Sequence, residues 1–432
     1  MSWTNWGRCE TAQPTEVLRP KNIQAVCDAV IRATATGRLI KVVGSGHSFT
    51  GIAVAPDIQL DLGALSGVID VDRDRQQVTV GGGTPLRQLT RLLARHGLAL
   101  ENMGDIDRQT ISGAISTGTH GTGLAFGGLA TQVVGLTLVS GTGELVRIDE
   151  EQSSELLPAA RVGLGALGII VEVTLQCVPG FAIHAIERVE PVDEVVAAFD
   201  ERCTHTDHFE FYWFPHTDTA FTKANIRLPA YTPLESTNRV SRWIEEELVE
   251  NGVLGAICAV GSALPATVPV LNRTVTRFLS DREHTQRSDR VFTSPRRVRF
   301  REMEYAVPYE SVGAAFDEVR SLIAERGWRI GFPIEVRAAA DDENWLSTAY
   351  GRRSAYIAVH RYVRDDPAEY FAAVEQIMRR YDGRPHWGKM HNRKAADLRD
   401  SYPRFDDFLA VREKLDPRRT FVNDYLHRVL GE

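Results

Sequence analysis

The chain has 432 residues, of which 43% are hydrophobic and 25% charged, with 35 glycines and 19 prolines. This composition excludes a disordered, collagen-like or coiled-coil protein, and at roughly 150 residues per domain the length indicates two or three domains. Acidic residues outnumber basic ones by 57 to 50, so the formal charge is −7 and does not favour nucleic acid as a partner. The arginine-rich run 296–301 carries Val and Phe at alternate positions, which predicts a strand with one solvated face.

Cysteine content and hydropathy bear on the cellular compartment. The five cysteines are scattered without a CxxC pair or a metal-ligand spacing, so we expect reduced thiols and no metal. The N-terminal segment lacks the apolar stretch of a secretory signal, and no run approaches the roughly 18 apolar residues that span a bilayer. We therefore expect a cytoplasmic protein without an integral membrane span, and peripheral contact with a membrane is left open.

The first third of the chain mixes short strands with helices. An apolar stripe that includes Ile31 predicts a helix over 20–37, and leucines from Leu86 onward predict a second helix that stops near Gly97. Alternating apolar runs predict strands at 39–43, 58–62, 67–71 and 77–83. Because these elements do not follow a regular βαβ spacing, the pattern favours an α+β fold over a doubly wound parallel sheet.

A boundary is predicted at Pro179–Gly180, after strands at 131–140, 144–149 and 167–178. Beyond it, residues 181–390 carry longer amphipathic stretches, such as 312–327, between strands rich in aromatic and β-branched residues. This change of texture indicates a second α+β domain. The last forty residues are expected to form a helix, a stop at Pro417 and a closing segment.

Two glycine-rich segments are candidates for phosphate binding. The first, 44–49, follows a strand, but Phe49 replaces the third glycine of GxGxxG and Pro56 lies too close for a long helix to follow. It is therefore either a backbone nest for a pyrophosphate or a simple tight turn. The second, 110–123, combines hydroxyl side chains with four glycines that allow close approach to a ligand. Together the two segments indicate a large diphosphate cofactor.

Four motifs carry a resemblance to a known family. They are VVGSGHSFT at 42–50, TISGAISTGTHGTG at 110–123, GALGIIVEVTL at 165–175 and HWGKMH at 386–391. In this order they resemble the aldonolactone oxidoreductases of the vanillyl-alcohol-oxidase superfamily of flavoproteins, most nearly the actinobacterial L-gulono-1,4-lactone dehydrogenases and the D-arabinono-1,4-lactone oxidases. The similarity spans essentially the whole chain.

The resemblance implies a domain organisation. Residues 1–178 would form a two-subdomain FAD-binding domain of the PCMH type. Residues 179–392 would form an α+β cap or substrate domain with an antiparallel sheet. Residues 393–432 would return to the FAD-binding domain.

The resemblance also implies FAD as cofactor. In these flavoproteins the loop matching 44–50 holds FAD, and its histidine, here His47, is often bonded to the 8α-methyl group of the isoalloxazine. A neutral imidazole is a competent nucleophile near pH 7, and the alternative is a His47 that only packs beside the ring. The implied cofactor-binding residues are Gly44, Ser45, Gly46, His47, Ser48, Ser112, Gly113, Ser116, Gly118, Thr119, His120 and Gly121, with Gly168 and Ile170 on the adenosine side.

A second candidate site lies in the strand-like run FPIEVRAA. Glu335 and Arg337 stand two residues apart, so in a strand their side chains project from one face. A surface ion pair is the ordinary alternative, but the apolar flanks favour a pair that faces a cavity. By resemblance, this Glu and Arg bind the sugar and stabilise reduced flavin. His360, with Tyr362 on the same face of a following strand, matches an active-site histidine of alditol oxidases, although a lone strand histidine is usually structural.

The motif HWGKMH adds a cation and a flat apolar wall. Lys389 would lie near the N1–C2=O edge of the flavin, and Trp387 would help exclude water from the sugar; a solvated lysine is the alternative. Asp105 matches a substrate-contacting position of alditol oxidases that carries serine there, which favours a lactone over an open-chain alditol. The predicted catalytic residues are thus Glu335, Arg337, His360 and Lys389, and the predicted substrate-binding residues are Asp105, Tyr362 and Trp387.

The expected reaction is oxidation of an aldono-1,4-lactone at C2, with L-gulono-1,4-lactone favoured. Hydride would pass to flavin N5, and the 2-keto lactone would tautomerise to L-ascorbate. The electron acceptor would be O₂ or a cytochrome- or quinone-like acceptor. Two alternative hypotheses are an alditol or carbohydrate oxidase that uses O₂ and produces H₂O₂, and a flavin- or sugar-binding module without turnover.

Overall fold

A computed structural model describes residues 2–235, 254–294 and 296–431; residues 236–253 of the predicted cap domain lie outside the described residues. The strands, in chain order, are β1 Trp3–Thr4, β2 Thr11–Ala12, β3 Glu16–Leu18, β4 Ile40–Val42, β5 Ile58–Leu60, β6 Val68–Asp72, β7 Gln77–Gly81, β8 Leu98–Ala99, β9 Val133–Val139, β10 Leu145–Ile148, β11 Ile169–Gln176, β12 Val178–Pro179, β13 Phe181–Pro191, β14 His208–Trp213, β15 Thr219–Pro229, β16 Arg282–Arg287, β17 Phe300–Pro308, β18 Ile334–Ala339, β19 Ser354–Tyr362 and β20 Arg384–Pro385. The α-helices within the described ranges are α1 Ile23–Thr36, α2 Leu86–Arg95, α3 Ile111–Ser116, α4 Leu157–Ala160, α5 Val192–Ala197, α6 Phe199–His205, α7 Leu254–Ala263, α8 Val268–Phe278, α9 Ser288–Phe292, α10 Val312–Arg326, α11 Ala368–Arg380, α12 Ala395–Ser401, α13 Phe405–Leu415 and α14 Asp424–Leu430.

The N-terminal part contains two main sheets. A parallel three-stranded sheet has the order β3-β5-β4, and an antiparallel five-stranded sheet has the order β10-β9-β11-β7-β6. Parallel and antiparallel pairing in separate sheets confirms the α+β prediction. Helix α1 begins because the side chain of Asn22 caps the amide of Ala25, and it ends at Gly37, whose φ of 65° is left-handed. Ile31 was predicted on the apolar stripe of α1 but is 50% exposed. The buried face of the helix is formed instead by Val26, Cys27, Ala29, Val30 and Ala33.

The central part is built on an antiparallel eight-stranded sheet with the order β16-β13-β15-β14-β18-β19-β17-β20. One face of this sheet is apolar and packs against α10 and α11 through residues such as Met303, Val336 and Ile357. The alternate residues of the same strands form the opposite face, which is charged yet also buried, for example Glu302, which lies opposite His360 in register. Because side chains alternate along a strand, the sheet has one apolar face that packs against helices and one face that carries charged side chains.

The C-terminal helices pack into the core of the N-terminal part. Side chains of α12 to α14, such as Phe408 and Leu426, share one cluster with Leu89 of α2 and Ile115 of α3. The amide of Ile40 donates to the carbonyl of Thr420 at 2.9 Å, so the chain beyond α13 lies beside β4.

The prediction for 296–301 is partly wrong, because the strand begins only at Phe300. Arg296 instead reaches Asp105, with a nitrogen–oxygen distance of 2.8 Å. Among the described residues, no helix combines the length and the apolar character needed to cross a bilayer.

Candidate functional site

A cleft in the N-terminal part brings the glycine-rich segments together. It encloses about 890 Å³, including solvent at its mouth, and is also lined by Lys41, Gln109 and Phe421. Ten of the predicted cofactor-binding residues line it: Gly44, Ser45, Gly46, His47, Ser48, Ser112, Gly113, Ser116, Gly168 and Ile170. A cleft lined by two glycine-rich segments and several serine hydroxyls suits a phosphate-bearing ligand.

Close backbone packing explains the glycines of the first segment. A Cβ atom on Gly44 would lie 2.5 Å from the hydroxyl oxygen of Thr110, and Gly46 has a φ of 70°. The second segment is not a plain loop, because its residues 111–116 form helix α3, whose Gly113 amide donates to the Thr110 hydroxyl at 3.4 Å. The two segments therefore meet at a position that only a glycine fills without displacement.

His47 is held in the wall of this cleft. Its ring stacks on Trp6 with centroids 5.6 Å apart, and the Trp6 amide donates to the carbonyl of Gly46 at 2.8 Å. Burial, together with the positive charge of Arg108, lowers the pKa of His47 to about 4. The ring is therefore neutral at physiological pH, as a nucleophilic imidazole must be.

Lys41 and Phe421 line the cleft but were not predicted. The ammonium of Lys41 donates to the carbonyls of Phe421 at 3.0 Å and Gly165 at 3.3 Å. Burial, and next the nearby charge of Arg412, lowers the pKa of Lys41 to about 7. A lysine within the strand IKV carries little signal in the sequence, because a stem that covers apolar surface gives the same pattern.

Four predicted cofactor residues do not line the cleft. Thr119 accepts a hydrogen bond from Gln109 at 3.1 Å, and a Cβ on Gly121 would clash with the carbonyl of Met103. Gly118 has a left-handed φ of 75°, which a turn after α3 requires. His120 points to the charged face of the large sheet, where its ring stacks on Tyr356 with centroids 3.6 Å apart.

Glu335 and Arg337 lie on that charged face, and each is only 6% exposed, so they are not a surface ion pair. Arg337 pairs with Asp105 at 2.6 Å, with Glu210 at 2.9 Å and with Glu335. The hydroxyl of Tyr212 donates to Glu335 at 2.7 Å. One guanidinium thus stands among three carboxylates, of which Glu210 and Glu335 are buried and Asp105 is partly buried.

The protonation of these carboxyl groups differs. Burial raises the pKa of Glu335, and the neighbouring charges of Asp105 and Glu210 add to this, while Arg337 opposes it. Burial also acts on Asp105, but Arg337 and Arg296 outweigh it and hold the pKa of that carboxyl below its usual range. Glu335 is therefore the group in this cluster best suited to exchange a proton.

A second set of charges lies on strand β17, which is separated from β18 by β19. Glu302 and Glu304 are buried on the same face, and Lys389 pairs with Glu302 and lies 3.9 Å from Glu304. His360 places Nε2 3.5 Å from Glu302, and His120 places Nε2 3.3 Å from Glu304. The sequence analysis missed these two glutamates. The run FREMEYAV nevertheless places two charged residues two positions apart in an apolar strand, which is the pattern that drew attention to Glu335 and Arg337.

Trp387 packs in the core and not on this charged face, and Tyr362 lies beyond the charged residues, at the end of β19. Trp387 is fully buried, donates to the carbonyl of Leu346 at 2.7 Å and stacks on Tyr402. Tyr362 lies at the end of β19 on a separate small cavity that also contains Cys258. Their contact with substrate stays a prediction.

The HWGKMH segment joins the cleft to the charged face. The amide of Phe49 donates to the carbonyl of Gly388 at 2.7 Å, and the hydroxyl of Thr50 donates to the carbonyl of Trp387 at 3.1 Å. Lys389 follows directly. The first glycine segment and the predicted catalytic lysine are therefore parts of one hydrogen-bonded unit.

Three groups of acidic and histidine side chains place potential ligand atoms within 4.8 Å of one another in the described part of the chain. They are His120 with Glu304 and His386, Glu302 with Glu335 and His360, and Asp105 with Glu210 and Glu335. Arg337 and Lys389 already supply positive charge to these groups. The expectation that no metal is bound stays a prediction.

The residues of the cleft fit FAD. Gly44, Gly46, Ser45 and Ser112 line the cleft, so their backbone and hydroxyl groups would be available to a pyrophosphate, and a neutral imidazole lies in the wall. The cleft wall thus offers backbone groups, hydroxyls and an imidazole, which suit a flavin dinucleotide.

Comparisons with known proteins agree with the geometry. The pattern of the family described as D-arabinono-1,4-lactone oxidase matches residues 173–429, and that of the FAD binding domain matches residues 14–149. L-gulono-1,4-lactone dehydrogenase of Mycobacterium tuberculosis is 44% identical over 429 residues, covering 99% of both chains. L-gulonolactone oxidase of Bos taurus is 34% identical and covers 99% of this chain and 98% of its own.

More distant proteins share the fold. Alditol oxidase of a Streptomyces species is 31% identical, with 99% of this chain and 98% of its own covered. The crystal structure of cholesterol oxidase from Brevibacterium sterolicum superimposes with a TM-score of 0.83 at 17% identity, covering 100% of this chain and 96% of that one. The predictions of family, fold class and FAD as cofactor are confirmed. The chain belongs to the D-arabinono-1,4-lactone oxidase family and is an FAD-dependent oxidoreductase.

Proposed function

We propose that the protein oxidises an aldono-1,4-lactone at C2, with L-gulono-1,4-lactone as the favoured substrate and L-ascorbate or an analogue as the product. The observation that carries this proposal is the buried charged face of the large sheet, where Glu335 and Arg337 meet Asp105, Glu210 and Tyr212. Such a density of hydrogen-bonding groups suits a small polyhydroxylated molecule. The full-length relatives named for L-gulonolactone support the same substrate class.

Bound FAD supplies the hydride acceptor. We propose that the ten predicted residues in the cleft hold it and that His47 bonds to it covalently; the stacked, neutral imidazole supports that role. Four further predicted residues do not line the cleft and would contribute to FAD binding only indirectly, by supporting its wall: Gly118, Thr119, His120 and Gly121.

The chain's own residues would manage the proton of the oxidised hydroxyl group. His360 donates from Nδ1 to the carbonyl of Pro333 at 3.0 Å, so Nε2 is the atom that can accept a proton. Glu335, whose pKa is raised by burial, is the other candidate to take or orient that proton. Arg337 pairs with Glu335, and Lys389 pairs with Glu302, which lies beside His360. These two cations would offset the negative charge that bound FAD gains when it is reduced.

The domain division proposed for the chain is 1–178, 179–392 and 393–432. The large sheet, from β13 to β20, lies within the middle segment, and α12 to α14 pack in the N-terminal core, which supports these bounds. A cytoplasmic location is proposed from the five unpaired cysteines. The electron acceptor proposed is O₂ or a cytochrome- or quinone-like molecule.

The deciding experiment is anaerobic stopped-flow reduction of the FAD-loaded protein by L-gulono-1,4-lactone, followed by mixing with O₂ or cytochrome c. Loss of the visible flavin absorbance with the lactone is the expected result, and the second mixing step separates oxidase from dehydrogenase. D-arabinono-1,4-lactone, xylitol and sorbitol are the matched comparisons. Reduction by the alditols but by neither lactone would refute the proposal and favour an alditol oxidase. An unreduced flavin with all four would favour a binding module.

A further inference from the structure

Strand β17 presents two buried carboxylates to one lysine. Glu302 and Glu304 stand two residues apart and are 5% and 3% exposed. Lys389, which is partly buried, pairs with the first and lies 3.9 Å from the second. Such burial of carboxylates opposes folding unless charge and hydrogen bonds compensate, so this arrangement is weak evidence of a purely stabilising role.

A histidine stands at each end of this arrangement. His360 donates from Nδ1 to the carbonyl of Pro333, and His120 directs Nδ1 to the carbonyl of Gly121 at 2.9 Å. In both rings Nε2 is therefore the atom that gains or loses a proton, and in both it faces a glutamate. We call the series His360–Glu302–Lys389–Glu304–His120 the buried charge chain.

We propose that Glu302 is a positioning residue that couples Lys389 to His360, so that the predicted cation and the predicted proton acceptor act as one unit. Glu302 is the residue of the chain that touches both. A proton that moves from the substrate hydroxyl to Nε2 of His360 would arrive beside the Glu302 carboxylate, which stabilises the imidazolium formed. This inference rests on the proposed function.

The electrostatics support the coupling. Burial lowers the pKa of Lys389, but the carboxylates of Glu302 and Glu304 outweigh it and raise that pKa above its usual value. Burial acts against Glu302 too, but Lys389 and next His360 hold the pKa of Glu302 down to about 2. The titratable groups that act on Lys389 are Glu302 and Glu304 on β17, Glu335 on β18 and His386 in its own loop. Beyond the two β17 glutamates lie His360 on β19 and His120 after α3, whose ring stacks on Tyr356.

The test is Glu302→Gln in the FAD-loaded protein, with Glu375→Gln as matched control. Glu375 is equally buried, but it lies on α11 and accepts from the Tyr305 hydroxyl at 2.7 Å and the Asn392 amide at 2.8 Å, away from the charge chain. Both accepted bonds go to one oxygen, which a glutamine can replace. Glu302→Asp keeps the charge and serves as the rescue variant.

The first measurement is a pH titration of the visible flavin spectrum without substrate. If Lys389 lies beside bound flavin as proposed, its deprotonation is expected to give an alkaline transition in this spectrum. Losing one close negative charge lowers the pKa of Lys389 by about 1–3 units, so this transition should move down by that amount in Glu302→Gln. It should stay in place in Glu375→Gln and return toward its original position in Glu302→Asp. An unmoved transition in Glu302→Gln would overturn the inference.

The second measurement is the pH profile of flavin reduction by L-gulono-1,4-lactone. We expect Glu302→Gln to lower the limiting reduction rate about tenfold or more while KM changes little, and to shift the alkaline limb downward. If Glu302→Gln and Glu375→Gln show the same limiting reduction rate and the same alkaline limb of the pH profile, the inference is refuted while the proposed function stands. If the unmodified protein is not reduced, the proposed function fails, and the spectral titration alone decides the role of Glu302.

Discussion

Arg337→Met removes the cation from the three-carboxylate cluster while keeping a side chain of similar length. Arg337 pairs with Asp105 at 2.6 Å and Glu210 at 2.9 Å, and also with Glu335, and all of these groups are largely buried. Removing one partner of a buried ion pair costs about 3–5 kcal/mol, because the remaining charge is left without compensation. Arg296 and Lys223 still reach the cluster, so we expect a loss at the lower end of this range.

The loss should depend on pH with a definite sign. In the unmodified protein the pKa of Asp105 lies below its unfolded value, so its contribution to stability is present at neutral pH and is lost only as pH falls through the folded pKa. In Arg337→Met the carboxyl groups bind protons more readily when folded than when unfolded. The variant's deficit should therefore be largest near pH 8 and shrink toward pH 5.

The assay is urea unfolding of the FAD-loaded protein, followed by tryptophan fluorescence at several pH values between these limits. Arg19→Met is the control, since Arg19 is exposed and its pair with Asp61 lies on the surface. Its effect should stay within about 0.5 kcal/mol. A deficit below about 1 kcal/mol for Arg337→Met, or one that does not change with pH, would refute the reasoning.

Three further predictions concern the cofactor cleft. His47→Ala should leave acid-precipitated protein colourless where the unmodified protein stays yellow; colourless precipitate from both would contradict covalent attachment. Gly44→Ala places a Cβ 2.5 Å from the Thr110 hydroxyl and should weaken FAD binding about tenfold, as measured by fluorescence titration of the apoprotein. Gly331→Ala, which meets no atom within 4 Å, should bind normally, and an equal effect of both would count against the packing argument. Because burial lowers the pKa of Lys41 to about 7, stability should rise with pH from there toward the unfolded lysine pKa, and Lys41→Met should lose this rise in urea unfolding; an unchanged slope would show that Lys41 is not its source.

The sequence predicted those features whose signal is local. Helix α10 shows its periodicity and ends at Gly327, which has a φ of 63°. The alternation around Glu335 and Arg337 indicated a shared face, and the structure brings them together with His360 on the adjacent strand β19. The glycine segments were identified because close backbone approach restricts the residue type.

The remaining features depend on contacts that no local pattern specifies. Arg296 leaves its expected strand for Asp105, far away in the chain, and only the folded arrangement creates that partner. Glu302 and Glu304 match ordinary strand alternation, so their burial is visible only once β17 lies between β19 and β20. His120 was assigned to the cofactor with its glycine-rich neighbours, but its ring turns toward the large sheet.

The position of Phe421 in the wall of the cleft has a consequence for biosynthesis. Lys41 is anchored to its carbonyl, and Ile40 bonds to the residue before it, so β4 gains partners from near the other end of the sequence. During translation, the first glycine segment emerges from the ribosome several hundred residues before these partners exist. A nascent chain would therefore hold its N-terminal sheets without a finished cleft, and the wall of the cleft would close only after Thr420 and Phe421 are synthesised.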